Sequence, residues 1–206
     1  REALPEDEIV DCQPNEVTQA AAEADVLIPL VTRIPDAALA SPRLKLIQQY
    51  GVGLDIVNLA AATRAGIPVA NVPSVGTGNA ESVAELAIAL LLMLFRQLPQ
   101  AQEKFRQGKL GAPMSDALWR STVLILGYGG IGEEIARRLH GFGCRVIAVS
   151  RHGPAGARVR DPAVPLAAHV AMDALPEVLR EADSVVVAAP HQINNTAMAT
   201  VAMAKR

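Results

Sequence analysis

Residues 121–151, STVLILGYGGIGEEIARRLHGFGCRVIAVSR, leave a chain few ways to fold. The apolar run 123–126 leads straight into Gly127-Tyr128-Gly129-Gly130-Ile131-Gly132, after which Ile131, Ile135, Ala136 and Leu139 recur at helical spacing as far as Gly141. A second apolar run, 146–149, follows. A strand, a tight turn, a helix and a second strand in this order predict a βαβ unit, whose two strands must lie parallel. Each glycine in the turn has a physical task. Gly127 permits the sharp turn, Gly129 lets the backbone approach a pyrophosphate, and Gly132 lets the helix pack closely on the strand. The unpaired N–H groups and the positive end of the helix dipole then face the phosphates. The pattern implies a dinucleotide-binding turn.

The end of the second strand discriminates between dinucleotides. An acidic side chain there accepts hydrogen bonds from the adenosine ribose of NAD and repels a 2′-phosphate. This chain instead reads Ser150-Arg151-His152, a hydroxyl, a fixed cation and a titratable ring. These suit a phosphate, so the residues favour NADP. If Arg151 only stacks on the adenine, NAD is the cofactor.

Composition narrows the rest. Half of the 206 residues are apolar, 19% are charged and the formal net charge is -2, which describes a globular chain with ample material for a core. Lys and Arg are dispersed and no basic face is evident, which argues against nucleic acid as a partner. Cys12 and Cys144 have neither metal-ligand spacing nor a disulfide framework, so a reducing cytoplasm and no metal are expected. The longest greasy run, 83–95, contains Glu85 and falls short of the roughly 20 residues of a bilayer span. No membrane partner and no signal peptide are expected.

Upstream of the glycine turn a second alternation occurs, with strand-like 8–12, 26–31, 44–50 and 68–72 and helix-like 15–24 and 55–65. This predicts another α/β unit. It begins in what reads as a helix, so an open parallel sheet would lack its usual first strand, as if the N-terminus were cut. Ser82-Val83-Ala84-Glu85 has capping-box spacing, and the helix it opens, 82–95, is apolar on every side and must be buried. The polar stretch 96–118 suits a crossing between domains. The expected organisation is a substrate domain at 1–78, an interdomain helix and crossing at 79–118, and a dinucleotide domain at 119–190. Residues 191–206 are candidates for a return to the first domain. The fold class is α/β, with two Rossmann-like or flavodoxin-like parallel-sheet domains and an interdomain cleft.

Four ordered motifs carry a family likeness: Gln49-Tyr50-Gly51-Val52-Gly53-Leu54-Asp55, Gly66-Ile67-Pro68-Val69-Ala70-Asn71-Val72-Pro73, Asn79-Ala80-Glu81-Ser82-Val83-Ala84-Glu85, and the segment from Leu126 to Gly132. Together they resemble the D-isomer-specific 2-hydroxyacid dehydrogenases, over most of the first 190 residues. The resemblance implies hydride transfer between a nicotinamide cofactor and a small 2-oxo or D-2-hydroxy acid, in a homodimer whose interface lies near helix 83–95. It implies that the N–H groups of Val52 and Gly53 receive a substrate carboxylate, a use that suits an anion and a glycine. It adds Ala189 and Pro190, at the end of the strand-like run 183–189, to the cofactor site.

Family members use a histidine as general acid/base, an arginine that polarises the 2-oxo group, and a carboxylate that tunes the histidine. Here Pro190-His191 follows the strand at once, and residues 190–196 fit a Pro-His segment that the family places much later, with 197–206 as the following helix. A rival alignment directly after the strand requires shifting the threonine by one residue. On the first alignment His191 is the acid/base, suited to the role because imidazole titrates near neutral pH. The segment bearing the arginine and the carboxylate is then missing from the chain. Either an internal deletion has occurred or the chain is part of a longer protein. Formate or phosphite oxidation is the alternative within enzymes. A catalytically silent nucleotide-binding protein is the alternative outside them, if the 206 residues are complete.

His140, His152 and His169 read as a helix end, a turn and a loop. Asp173, Glu177, Glu181 and Asp183 read as a solvated helix face. Glu133 and Glu134 sit where a helix dipole favours them without catalysis.

Overall fold

A computed structural model describes residues 6–156, 161–189 and, as backbone, 200–203. The chain forms two compact units, Arg1–Pro73 and Ser74–Arg206.

In the first unit, α1 (Val17–Glu23), β1 (Val26–Leu27), β2 (Leu46–Gln48), α2 (Leu59–Ala65) and β3 (Val69–Ala70) build a parallel sheet in the order β1-β2-β3. Its core gathers Val17 and Ala21 of α1, Leu27, Ile47, Ala62 of α2 and Ile67. Asn58 caps α2 by accepting the Ala61 amide at 3.1 Å, and Gly66, at φ 71°, ends the helix in the left-handed conformation that glycine tolerates. The strands are shorter than the apolar runs predict, yet backbone bonding runs on past them: Gln49 N–H donates to the Ala70 carbonyl at 2.8 Å and Tyr50 N–H to Pro29 at 3.2 Å. The expected strand 8–12 is irregular and largely exposed, with Val10 73% accessible. Only Ile9 is partly covered there, so the segment lacks the buried face that sets a strand's register.

The second unit contains α3 (Asn79–Phe95), α4 (Leu98–Arg106), β4 (Thr122–Leu126), α5 (Gly130–Gly141), β5 (Arg145–Ser150), β6 (Ala168–Ala171), α6 (Leu175–Val178), β7 (Ser184–Val187) and β8 (Thr200–Met203). The sheet order is β6-β5-β4-β7-β8, parallel except for β8, which runs antiparallel to β7. Both faces are covered, which explains why β4 is apolar from Val123 to Leu126 rather than alternating. Val123 and Ile125 face a core with Ala87, Leu91 and Phe95 of α3 and Ile135 and Leu139 of α5, while Leu124 joins Ile147, Val149 and Val178 on the opposite face. Each fully buried Leu or Ile in these clusters contributes on the order of 1.5–3 kcal/mol.

Several expectations change. The predicted capping box is not used: α3 begins at Asn79 behind Gly78, so Ser82 lies inside the helix. The helix is buried along Ala80, Ala84, Ala87, Ile88, Leu91 and Phe95, while Leu86 and Met93 on its other side are 51% and 42% exposed. The stretch 96–118 contains α4 and belongs with the second unit. The last described segment is a strand, not the helix expected at 197–206, and it joins the dinucleotide-type sheet rather than the first unit. Pairing with β7 satisfies backbone groups that would otherwise form an open edge. Among the described residues no single helix is long and apolar enough to cross a membrane.

Candidate dinucleotide site

β4 is flanked by β5 on one side and β7 on the other, so the chain reverses its direction of travel across the sheet at this strand. In open α/β sheets that reversal leaves a crevice beyond the carboxyl ends of the strands. The glycine turn occupies this place. Gly127 N–H donates to the Val149 carbonyl at 2.8 Å, and Ala188 N–H donates to Leu126 at 2.8 Å, fastening the turn to both neighbours.

The three motif glycines meet different surroundings. Gly127 has φ 100°, and a Cβ there would lie 2.5 Å from the Ala189 nitrogen. At Gly132 a Cβ would collide with the Gly127 carbonyl oxygen, so this glycine sets the approach of α5 to the strand. Gly129 is the opposite case: its extended backbone, φ -96° and ψ -164°, suits any residue, and a Cβ would meet nothing within 4 Å. The fold therefore has no steric need for glycine at 129, and the space above it is open.

In α5, Glu133 N–H is the first to find an intrahelical acceptor, the Gly129 carbonyl at 2.9 Å. The preceding amides of Gly130, Ile131 and Gly132 have no intrahelical acceptor and gather at the positive end of the helix dipole. The acidic residues that follow are offset in part by two arginines. Arg137 pairs with Glu134 at 3.2 Å and Asp161 at 2.9 Å, and Arg138 with Glu134 at 2.6 Å. The Arg138 hydrogen bond holds the Glu134 carboxyl below the usual carboxylate range. Asp161 is lowered chiefly by the Ala163 amide and then by Arg137. The Tyr128 and Ile131 side chains pack into the core, so both residues offer the site only their backbone.

At the end of β5, the Ser150 hydroxyl lies 3.2 Å from the Gly153 carbonyl and 2.9 Å from His169 Nε2. Arg151, in the turn that follows, is exposed and makes no ion pair among the described residues. His169 belongs to β6, not to a loop, and its ring stands edge-on to Tyr128 with centroids 5.1 Å apart. Neither strand β6 nor the Ser150–His169 contact is legible in the sequence, because 168–171 has only four residues and its Ala-His-Val-Ala has no strongly apolar run to mark it. Sequence reasoning also misses residues 74–78: a Cβ on Gly130 would meet Val75 Cγ2 at 2.8 Å and Ser74 Oγ at 2.9 Å, so this glycine-containing loop roofs the start of α5. Asp183, expected on a solvated helix face, accepts the Thr122 amide at 2.8 Å and caps β4.

In the first unit, Val52 and Gly53 lie in the loop after β2. Asn71 Nδ2 donates to the Val52 carbonyl at 2.7 Å, and Val72 N–H donates to Gly51 at 3.1 Å. Among the described residues the Val52 and Gly53 amides donate to no backbone carbonyl. Cys144 is half-buried beside Ser121, and burial pushes its thiol up, as befits a packing residue. Pro190 and His191 lie outside the described residues. Ala189 is partly buried at the end of the β7 segment.

Known proteins share this architecture. The model of the D-isomer specific 2-hydroxyacid dehydrogenase NAD binding domain matches residues 88–205, more than half of the chain. A D-3-phosphoglycerate dehydrogenase of Mycobacterium bovis is 39% identical over 133 residues, 63% of this chain and 25% of that protein. A glyoxylate reductase of Thermococcus onnurineus is 33% identical over 189 residues, 84% of this chain and 54% of the relative. The crystal structure of the TT0316 protein from Thermus thermophilus superposes with a TM-score of 0.71 at 31% identity, covering 90% of this chain and 57% of that one. The chain thus spans between a quarter and about half the length of these curated relatives. With its glycine turn at the strand-order reversal and its match to the domain model, the chain belongs to the D-isomer-specific 2-hydroxyacid dehydrogenase family.

Proposed function

We propose that the protein carrying this chain interconverts a small 2-oxo acid and its D-2-hydroxy acid, with NADP as the preferred nicotinamide cofactor. The observation that carries this reading is the open space over Gly129 beside the amides of Gly130, Ile131 and Gly132, which donate to no backbone carbonyl among the described residues, a cradle that a pyrophosphate fits and that a side chain at 129 would obstruct. Gly127 and Tyr128 shape the turn beneath it, Ala189 lies against Gly127, and Pro190, which follows in the chain, is assigned to the same cofactor site. Ser150 and Arg151 hold the ribose end. The cofactor supplies hydride when bound. Val52 and Gly53 offer their amides to the substrate carboxylate, their loop held by Asn71, and His191 exchanges the proton at the 2-oxygen. A second copy of the chain is the proposed partner, seated on α3 and α4, where Leu86, Met93, Leu98 and Phe105 are exposed; a monomer in sedimentation would remove that element. The cytoplasm is the proposed location.

Consumption of NADPH by the full-length protein with glyoxylate and with hydroxypyruvate tests the activity. Turnover is expected with at least one. Reduction of NADP+ by formate or phosphite with no NADPH consumption on either 2-oxo acid, or cofactor binding without turnover in either direction, would overturn it. Replacing Arg151 by alanine is expected to weaken NADPH about tenfold or more while leaving NADH nearly unchanged, because only the 2′-phosphate loses a charged partner. Equal losses in a fluorescence titration would remove the NADP assignment.

A further inference from the structure

The Ser150 hydroxyl has one proton and two neighbours within hydrogen-bonding distance. The Gly153 carbonyl, 3.2 Å away, can only accept, and His169 Nε2, 2.9 Å away, either donates or accepts according to where the ring carries its proton. Where the hydroxyl gives its proton to the Gly153 carbonyl it can only receive from the ring, and this arrangement, which satisfies both contacts at once, places a proton on Nε2. This protonation state decides how Ser150 meets an anion. With Nε2–H donating into its oxygen, Ser150 keeps its own proton for an acceptor in front of it. With Nε2 bare, the ring would draw that proton away, and Ser150 would present only lone pairs.

His169 is held for this task by its surroundings. It sits on β6 in register with Ala148 of β5, and its ring leans edge-on against Tyr128, itself 4% exposed. The ring is therefore fixed by the same turn that shapes the pyrophosphate cradle.

We propose that His169 is a positioning residue of the 2′-phosphate subsite: its Nε2–H donates to Ser150 Oγ, so that the serine proton turns from the Gly153 carbonyl to the phosphate of NADP. The chain Nε2–H to Oγ–H to phosphate oxygen is cooperative, since a hydroxyl that accepts one bond donates a stronger one. His169 touches no ligand in this arrangement and acts only through Ser150. The inference rests on the NADP reading given above.

NADPH and NADH titrations of the full-length protein, followed by nicotinamide fluorescence, test it. His169→Phe keeps a ring against Tyr128 but lacks the donor, and is expected to weaken NADPH about five- to tenfold with NADH unchanged. His169→Gln, whose amide nitrogen can stand where Nε2 stands, is expected to restore NADPH affinity to within about twofold of the unaltered protein. Ser150→Ala should show the same selective loss, and adding His169→Phe to it should cost nothing more, a cycle that also decides the matter if His169→Phe alone folds poorly. Loss of NADPH and NADH together, failure of glutamine to rescue, or additive losses in the double variant, with Arg151→Ala still selective, would overturn the role of His169 and leave the NADP reading standing. A non-selective Arg151→Ala would overturn the NADP reading itself.

Discussion

Replacing Gly132 by valine is expected to destabilise the second unit by roughly 4 kcal/mol or more, at the far end of what single substitutions do. A Cβ at this position would collide with the Gly127 carbonyl oxygen and approach Ile125 Cγ2 to 3.3 Å. Neither obstacle is a flexible side-chain tip. The carbonyl belongs to a turn fastened to β5 through Gly127 N–H, and Ile125 is fully buried in the middle of β4. Relief requires lifting α5 from the sheet, which also separates Ile135 and Leu139 from Ala87 and Leu91. Urea unfolding followed by circular dichroism reads the effect directly. A loss below about 1 kcal/mol would show that the helix can move without cost, contrary to the close packing of protein interiors.

At Gly129 the same motif is expected to respond in the opposite way. Gly129→Val should cost no more than about 1 kcal/mol, the scale of an unfavourable helix N-cap. The backbone there is extended and the surrounding space empty. Dinucleotide affinity is expected to fall about a hundredfold or more, because the side chain would occupy the place where a pyrophosphate must approach the amides. Calorimetric melting together with NADPH titration separates the two quantities. Retained affinity in a folded Gly129→Val variant would mean that the phosphates lie elsewhere, and would remove the observation on which the proposed function rests.

The contrast between these glycines shows where sequence reading reaches and where it stops. The spacing of Gly127, Gly129 and Gly132 implies a turn, an approach and a contact, and neighbours in the chain are enough to say so. The boundaries of α5 and β5 are legible for the same reason: local periodicity and Gly141 mark them, and the structure differs by no more than one residue. Strand 8–12 fails because a short run with adjacent apolar residues becomes a strand only where the rest of the fold buries one of its faces, and here Val10 and Cys12 stay exposed. Ser82 and Glu85 fail as a cap because Gly78 begins α3 earlier, and capping spacing inside a continuing helix is only two polar residues one turn apart.

The candidate site divides in the same way. Ser150 and Arg151 stand immediately after an apolar run, so their place at the cofactor end of β5 follows from chain order alone. His169 is 19 residues further on and meets Ser150 at 2.9 Å only because β6 pairs beside β5 in parallel register. Ser74 and Val75 reach Gly130 across more than 50 residues of chain. The sequence by itself determined the βαβ unit, the class of ligand its turn can cradle and the family likeness, since these depend on residue type and on spacing within a few turns. Only the tertiary structure decided which strand lies beside which, that Gly132 is a packing contact while Gly129 stands open, and that a histidine read as a loop residue lies on β6 against Ser150. Pairing order and side-chain approach arise from the whole chain burying its apolar surface at once, and no local pattern encodes them.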